Sequence, residues 1–283
     1  MLEDFSGYPP SCKYYGGSVR KKGIRINGND YIIKFRKNTK DGKMHNHVSE
    51  YLGSCIFGLL GCVVQDTWLG MYRGEEIVLM KDFVAEGEVF IPFCDVREQM
   101  TDTGEKGHPA ACETEGEFFR SLGEAEHRRE MWDTFWDVFV IDALLGNPDR
   151  RENSWGFVKT EEGYELAPVF NNDACLFPGI VSDEQCREIL YSSEKMEQLI
   201  FEPCAAQIRM DRRECSFLEI ISSHRFRECD RALWRIISKM DFAMLDLLVQ
   251  AMDILSDIKK QFILTMIEER YKRLLLEPFE RTM

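Results

Sequence analysis

The sequence lacks the long uninterrupted hydrophobic runs from which membrane-spanning helices are built. Its most apolar windows, such as DTFWDVFVIDALLG, contain charged residues and are too short to cross a bilayer. The first ten residues, MLEDFSGYPP, are acidic and polar, so we expect no signal peptide and no membrane partner. Internal repeats and low-complexity segments are also missing. These absences leave an ordinary globular protein as the expected class.

Positive charge is scarce relative to negative charge. The chain has 36 Lys and Arg against 49 Asp and Glu, a net charge of −13. An acidic chain repels phosphate backbones, so we expect no broad nucleic-acid binding. We interpret most charges of two short basic clusters as solvated loop charges. One cluster contains Arg20, Lys21, Lys22 and Arg25, and the other contains Arg36, Lys37 and Lys40.

The ten cysteines lack the spacing of a disulfide framework or a zinc site. No CxxC pair occurs, and the five histidines do not cluster with cysteines at zinc-ligand spacing. Several cysteines lie in apolar runs, as Cys55 does in SCIFGLLGC. The pattern predicts reduced, mostly buried thiols in a cytoplasmic protein.

The first third of the chain reads as strands with one helix. Apolar and polar residues alternate around the Asn27-Gly28 turn, and YIIKF predicts a strand. The segment HVSEYLGSCIFGLLG has helical spacing and Gly61 as a C-terminal stop. A second hairpin is expected around Arg73-Gly74.

The remainder of the chain is predicted to be mainly helical. A polar stretch at residues 99–114 predicts a mobile connection. From Ser182 onward we expect amphipathic helices, including ALWRIISKM, FAMLDLLVQAMDIL and IKKQFILTMIEERYKRLL. The layout predicts an α+β protein with a strand-rich N-lobe at residues 1–85 and a helical C-lobe at residues 86–283. Two unequal lobes imply a cleft between them, where ligands usually bind.

Three features of the N-lobe suggest a phosphate-binding site. Gly16 and Gly17 lie in a turn where backbone N–H groups could approach phosphate oxygens. Lys34 lies between apolar residues in YIIKF, and Glu50 lies in the helix that follows. A strand lysine paired with a glutamate on the next helix is an arrangement that holds a triphosphate.

Two loops of the C-lobe supply oxygen groups. Asp149, in the loop after a buried helix, could orient or deprotonate an attacking hydroxyl. Nearby oxygen donors of the kind that suit magnesium are Asn153, Ser154, Asn171, Asn172 and Asp173. The alternative is that these are polar turn residues, which weighs most for Asn172.

Taken in order, four segments of the chain resemble successive motifs of the HipA-like serine/threonine kinases. They are YIIKF, HVSEYLGSCIFGLLG, VIDALLGNPDRRENSWGFV and APVFNNDACLFP. The similarity is to the short bacterial type without the extra N-terminal subdomain. It implies a two-lobed protein-kinase-like fold, with ATP and Mg²⁺ or Mn²⁺ as cofactors. It also implies phosphoryl transfer to a hydroxyl of a protein, the chain itself included, and an antitoxin-like partner.

The resemblance assigns a role to individual positions. Gly16, Gly17 and Ser18 match the phosphate-binding loop, Lys34 matches the phosphate-contacting lysine, and Glu50 is its helix partner. Asp149 matches the catalytic aspartate. The segment that would meet adenine as the hinge comprises Met80, Lys81, Asp82 and Phe83.

The metal-binding motifs depart from the family pattern. Ser154 stands where the family has a metal-binding Asn, with Asn153 one residue earlier. Asn171 stands at the position of the second metal ligand, an Asp, while Asp173 and Ala174 replace a Gly and a Ser. Asn is a neutral ligand, so metal affinity should fall unless Asp173 compensates. Two hypotheses follow: an active serine/threonine kinase, or a pseudokinase that binds nucleotide or a protein partner without efficient transfer.

Overall fold

The computed structural model describes residues 2–17, 19–95, 128–150, 153–161, 163–201, 206–210 and 213–281. Strands dominate its first ninety-odd residues, and helices dominate after residue 128. The predicted α+β class is therefore confirmed. The expected connection at residues 99–114 and the expected phosphate-loop residue Ser18 lie outside the described residues.

A five-stranded sheet forms the N-terminal part, with strand order β1-β6-β7-β3-β2. Strand β1 runs parallel to β6, and the other neighbours are antiparallel. The strands are β1 (Glu3–Asp4), β2 (Lys21–Ile26), β3 (Asn29–Phe35), β6 (Thr67–Tyr72) and β7 (Glu75–Lys81). A separate short hairpin consists of β4 (Asn38–Thr39) and β5 (Gly42–Lys43).

Two-residue turns set the register of this sheet, as the sequence predicted. Asn27 and Gly28 both have positive φ, 50° and 85°, as a type I′ turn requires. Arg73 and Gly74, at 52° and 79°, repeat this geometry between β6 and β7. In the β2–β3 ladder, Lys21 consequently lies opposite Lys34.

Helix α1 (Asn46–Leu59) crosses behind the sheet and joins the two parts of the molecule. It ends at Leu60, and Gly61 follows with a φ of 94°, so the predicted stop is confirmed. Its apolar residues Val48, Leu52 and Ile56 are buried in the same core as the C-terminal helices. The helix therefore fixes where the sheet sits relative to the rest of the chain.

The C-terminal part combines helices with two small sheets. Its helices are α2 (Arg128–Leu145), α3 (Asp183–Leu190), α4 (Ser193–Phe201), α5 (Phe217–Ser223), α6 (Arg227–Lys239), α7 (Phe242–Gln250), α8 (Asp257–Arg270), a π-helical segment (Tyr271–Leu276) and α9 (Glu277–Glu280). The strands are β8 (Val89–Pro92), β9 (Gly156–Lys159) and β10 (Tyr164–Leu166), in the order β10-β9-β8, and the hairpin β11 (Ala206–Met210) and β12 (Arg213–Cys215).

Helices dominate from Ser182 onward, as expected, with the short hairpin of β11 and β12 among them. One helix is shorter than the sequence predicted. Helix α7 ends at Gln250, whereas the apolar pattern continued to Leu255. The chain turns there, because the N–H of Met252 bonds to the carbonyl of Val249 and the N–H of Leu255 to that of Met252. Ser256 then caps α8 by accepting a hydrogen bond from the N–H of Lys259.

The described cysteines are all free thiols. Cys175, Cys186, Cys215 and Cys229 are buried, Cys12 is exposed, and the remaining three are partly buried. Burial raises the pKa of the Cys62 thiol to about 12, which makes it unreactive near neutral pH. Across the described residues, no helix is both long enough and apolar enough to cross a membrane.

Two glycines of α1 give a test of how tightly this helix packs. A Cβ at Gly53 would lie 2.7 Å from the Cβ of Asn172, whereas a Cβ at Gly58 would make an ordinary 3.5 Å contact with Val64. Gly58→Ala should raise the free energy of unfolding by about 0.5–1 kcal/mol through helix propensity. Gly53→Ala should lower it by about 1–3 kcal/mol through overpacking. Urea unfolding of both variants checks this, and equal stabilisation by both would contradict it.

Candidate active site

A cavity of about 970 Å³ lies between the five-stranded sheet and the C-terminal part. One side is formed by the loop before β2 and by β3, through residues such as Gly16 and Lys34. The other side is formed by the loop after α2 and the loop around residues 170–173. Segment 80–90 closes one end. Residues from both predicted lobes therefore meet in one concave site, the usual setting for a ligand.

A buried ion pair lies at the inner wall of this cavity. The Lys34 Nζ atom lies 2.6 Å from Oε2 of Glu50, and both side chains are at most 2% exposed. The other carboxylate oxygen of Glu50 accepts a hydrogen bond of 2.6 Å from the backbone N–H of Asn172. Burial lowers the pKa of Lys34, but Glu50 and Asp173 more than offset it and raise the pKa overall. Lys34 is therefore a charged ammonium group at neutral pH.

Asp173 is the second carboxylate that contacts Lys34. Its Oδ2 atom lies 3.2 Å from Nζ of Lys34 and 2.9 Å from Nζ of Lys37. Burial would raise the pKa of Asp173, but the two ammonium groups lower it below its usual value. The carboxylate is therefore ionised and held between two cations.

Asn171 is hydrogen-bonded on both sides of its amide. Its Oδ1 accepts from Nζ of Lys34 at 3.0 Å, and its Nδ2 donates to Oγ of Ser154 at 3.0 Å. The residue has a φ of 62°, a left-handed conformation that Asn tolerates better than most residues. The segment just before β9, which contains Ser154, and the loop that contains Asp173 are thus linked by a neutral side chain.

Asp149 lies in the loop that follows α2, and buried groups fix that loop. The N–H of Asp149 donates to Oδ1 of Asn147 at 3.1 Å, and Nδ2 of Asn147 donates to Oδ1 of Asp142 at 2.7 Å. Arg150 binds both oxygens of Asp142, at 2.8 and 3.0 Å. This bidentate pair orients the loop so that Asp149 lines the cavity.

Asn172 ties together segments on both sides of the cavity without lining it. Its side-chain oxygen accepts from Arg150 at 2.7 Å, and its Nδ2 donates to Oγ of Ser54 in α1 at 3.0 Å. Arg150 also donates to the carbonyl of Phe170. Asn172 is fully buried. Asn172 therefore lies in a turn, as the alternative interpretation had it, where its carbonyl accepts from the N–H of Cys175, and its side chain does not line the cavity as a metal donor would.

The end of the cavity opposite Lys34 is polar on one side and aromatic on the other. Lys13 and the hydroxyl of Tyr15 each donate to Oδ2 of Asp82 at 2.8 Å. Burial and the contact with Asp82 raise the pKa of Tyr15, so it stays protonated. The rings of Phe83, Phe90 and Phe170 contact one another with centroids 5.4–5.8 Å apart. Such a surface suits a planar aromatic group.

The cavity brings together most residues that the sequence predicted as site residues. Those that line it are Gly16, Gly17, Lys34, Met80, Asp82, Phe83, Asp149, Asn153, Ser154, Asn171 and Asp173. Glu50 lies behind Lys34 rather than in the cavity wall. Lys81 lines a neighbouring cavity of about 670 Å³ instead.

Sequence reasoning missed several lining residues, namely Lys13, Lys21, Lys37, Gln65, Phe90 and Phe170. Lys21 and Lys37 are exceptions to the interpretation of most charges in the two basic clusters as solvated loop charges, because both line the cavity. For Lys21 a signal existed. A two-residue turn at Asn27-Gly28 requires that residue 21 pair with residue 34, which places Lys21 on the same face as Lys34.

The donor set suits a magnesium ion. Asp149, Asn153, Ser154, Asn171 and Asp173 offer hard oxygen atoms to the same cavity. Within the described ranges, no group of three or more His, Cys, Asp or Glu forms a complete protein cage for a metal. Mg²⁺ characteristically takes one or two carboxylates and completes its shell with phosphates and water. These residues therefore fit Mg²⁺ bound together with a phosphate ligand.

Comparisons with known proteins place this geometry among kinases. No family model matches the chain. The serine/threonine-protein kinase CtkA of Helicobacter pylori is 26% identical over 276 residues, which covers 94% of this chain and 83% of the relative. The crystal structure of a H. pylori proinflammatory kinase CtkA matches with a TM-score of 0.86 and 25% identity, covering 99% of this chain and 98% of that chain.

A more distant solved structure shares the fold. It is the complex of HipA, HipB and operator DNA from Shewanella oneidensis MR-1. The TM-score is 0.54 at 14% identity, and the match covers 98% of this chain and 68% of that chain. The chain spans about two thirds of that neighbour. The two-lobed, protein-kinase-like α+β fold predicted from the sequence is confirmed by these matches.

The hydrogen bond between Ser54 and Asn172 can be measured by a double-mutant cycle. Replacing both by Ala, singly and together, should give a coupling energy of at least about 0.5 kcal/mol, since the two side chains contact each other directly. As control, Asn172→Ala is combined with Ser223→Ala, which removes a bond to the carbonyl of Ile220 far from the cavity. That pair should add within about 0.5 kcal/mol. Additivity in the first cycle would contradict the structure.

Proposed function

We propose that this chain, a homologue of CtkA with the fold of the HipA-like kinases, is a serine/threonine protein kinase. It transfers the γ-phosphoryl group of ATP to a hydroxyl of a protein, the chain itself included. The observation that carries the proposal is the ion pair of Lys34 and Glu50 beside the same cavity that Asp149 lines. Strand lysine, helix glutamate and catalytic-loop aspartate are the parts on which phosphoryl transfer in kinases depends.

Each part has a role in the proposed reaction. Lys34 neutralises negative charge on the α- and β-phosphates, and the backbone at Gly16 and Gly17, with Ser18, covers the phosphates. The aromatic end and the hinge, Met80 to Phe83, receive adenine. Asp149 accepts the proton of the acceptor hydroxyl. The hydroxyl oxygen bonds to the γ-phosphorus while the bond from the γ-phosphorus to the β,γ-bridging oxygen breaks, and ADP leaves.

The metal would be held by Asp173 and Asn171 from one loop and by Asn153 or Ser154 from the other. Bound Mg²⁺ or Mn²⁺ supplies positive charge that offsets the charge on the transferred phosphoryl group. Asp173 offers the carboxylate that Asn171 lacks, at the edge of the same cavity. Its contacts with Lys34 and Lys37 hold it in place, so compensation at this position is chemically reasonable.

The match to the kinase CtkA covers 94% of this chain and 83% of that relative. This homology favours an active enzyme over the pseudokinase alternative. An antitoxin-like partner and a cytoplasmic location stay predictions of the sequence resemblance and of the thiol pattern.

Asp149→Asn should separate binding from chemistry. It keeps the size of the side chain but removes the proton acceptor, so we expect phosphorylation with labelled ATP to fall at least about 100-fold. Stabilisation of the protein by ATP in thermal unfolding should persist, because Asp149 holds no part of the Lys34 ion pair. Transfer at the wild-type rate would contradict the assigned role. Absence of transfer by the wild-type protein would contradict the proposed function, and ATP binding without transfer would favour the pseudokinase alternative.

Asn171→Asp tests the altered metal site. A carboxylate at this position should bind the divalent ion more tightly, so half-saturation should need several-fold less Mg²⁺ in the presence of a non-hydrolysable ATP analogue. Calorimetric titration measures this without relying on turnover. Gln261→Glu, which adds one negative charge on the exposed side of α8, is the matched control and should change nothing. Unchanged Mg²⁺ affinity in Asn171→Asp would place the metal elsewhere.

A further inference from the structure

We infer that Lys21 is a second phosphate ligand, which forms with Lys34 a cross-strand lysine pair for a polyphosphate chain. Neither the sequence motifs nor the comparisons assign a role to Lys21. The inference rests on the proposed function for the identity of the nucleotide, but the pair itself is defined by the geometry of β2 and β3.

The register of the two strands places both ammonium groups in the cavity. Lys21 and Lys34 are direct partners in the antiparallel ladder, so their side chains project from the same face of the sheet. Directly opposed residues have Cβ atoms about 5 Å apart. Both residues line the cavity, beside Gly16 and Gly17. Lys22, the next residue along β2, projects from the other face, where its ammonium lies 5.0 Å from the ring centre of Tyr72.

The two lysines differ in how their charge is balanced. Lys34 has the carboxylates of Glu50 and Asp173 within 3.2 Å. Among the residues that the structure describes, Lys21 makes one hydrogen bond, of 2.9 Å to the carbonyl of Gly16, and no ion pair. A carbonyl oxygen satisfies one N–H group but neutralises no charge. Lys21 therefore presents an ammonium group to the cavity with no carboxylate of its own.

Such a pair is unfavourable without a ligand. Like charges directly opposite each other destabilise a sheet. Burial and the neighbouring ammonium of Lys34 lower the pKa of Lys21, and the carboxylates of Glu50 and Asp173 offset only part of this effect. An anion placed between the two groups would convert this repulsion into attraction, so the arrangement favours a ligand with several negative charges.

The loop that contains Gly16 and Gly17, the glycine loop, leaves space for the Lys21 side chain. A Cβ at Gly17 would lie only 2.9 Å from Nζ of Lys21. Gly17 also has a φ of 115°, which L side chains rarely adopt. The second glycine thus serves the ammonium group as well as the turn, and it places the Lys21 charge where the loop covers the phosphates.

The chemical class of the ligand follows from the spacing of the charges. A di- or triphosphate carries negative charge along a chain and can contact both ammonium groups at once. A nucleoside has no such charge and gains nothing from Lys21. Affinity for ATP and for inorganic tripolyphosphate should therefore depend on Lys21, whereas affinity for adenosine should not.

The competing explanation is that Lys21 has a structural role and holds the glycine loop in place through its hydrogen bond to the carbonyl of Gly16. A structural hydrogen bond would stabilise the unliganded protein, and its loss would weaken binding of adenosine as much as that of ATP. If Lys21 instead binds phosphate, the opposite results are expected. Removal of its ammonium group then relieves repulsion in the unliganded protein and weakens binding of phosphate-bearing ligands only.

The test compares Lys21→Met with Lys22→Met, which removes the same charge from the other face of the strand. Calorimetry with ATP, tripolyphosphate and adenosine gives the affinities, and thermal unfolding gives the stability without ligand. For Lys21→Met we expect about tenfold or greater weakening for ATP and tripolyphosphate, unchanged adenosine binding and an unliganded Tm that is not lowered. Lys22→Met should stay within about twofold of wild type for all three ligands, and Lys21→Arg should retain tripolyphosphate binding.

Each outcome is decisive. Equal ATP and tripolyphosphate affinities in Lys21→Met and wild type would overturn the inference while the proposed kinase function stood. A parallel loss of adenosine binding together with a lower Tm of the unliganded protein would overturn it in favour of the structural role of Lys21. Lys21-dependent binding of tripolyphosphate by a protein that binds no ATP would support the lysine pair and reject the proposed function.

Discussion

The structure depends on one buried electrostatic contact, the ammonium group of Lys34 held between the carboxylates of Glu50 and Asp173. The three residues come from β3, from α1 and from a loop of the C-terminal part, so a single charge cluster fixes three separate segments. Removing one member of a buried ion pair leaves an uncompensated charge and typically costs about 3–5 kcal/mol. Stability and cleft geometry are therefore coupled here, and the cluster cannot be altered for binding alone.

Charge-assisted hydrogen bonds extend the cluster into the loop that presents Asp149. Glu50 accepts from the backbone of Asn172, and the Asn172 side chain accepts from Arg150, which is itself anchored on Asp142. A shift of α1 would thus move Asn172 and, through Arg150, the loop that presents Asp149. The close approach of Gly53 to Asn172 leaves little room for such a shift without rearrangement. The position of Asp149, the proposed proton acceptor, is consequently set by the same elements that hold Lys34.

Local patterns in the sequence predicted the fold class and the turns, and the family resemblance added the Lys34–Glu50 pair. Asn27-Gly28 and Gly61 identify a turn and a helix end because each needs a backbone conformation that few residues accept. The same turn also fixed the position of Lys21, although that consequence requires counting the register across the hairpin. Phe90, Phe170 and Asn172 have no comparable signal. Their roles depend on contacts between segments far apart in the chain, which periodicity and spacing do not encode.

The balance of charge at the phosphate end of the cavity explains why the lysines are not equivalent. Lys34 and Lys37 share Asp173, and Lys34 is also committed to Glu50, so either can approach an anion only by weakening an ion pair within the protein. Lys21 has no such commitment among the described residues. In a chain with a net charge of −13, an ammonium group without a carboxylate inside a cavity is a local exception to the overall acidity. Glu50 and Asp173 offset part of the cost of keeping it there, and a ligand that brings negative charge would offset more, which makes the lysine pair a feature of binding rather than of folding.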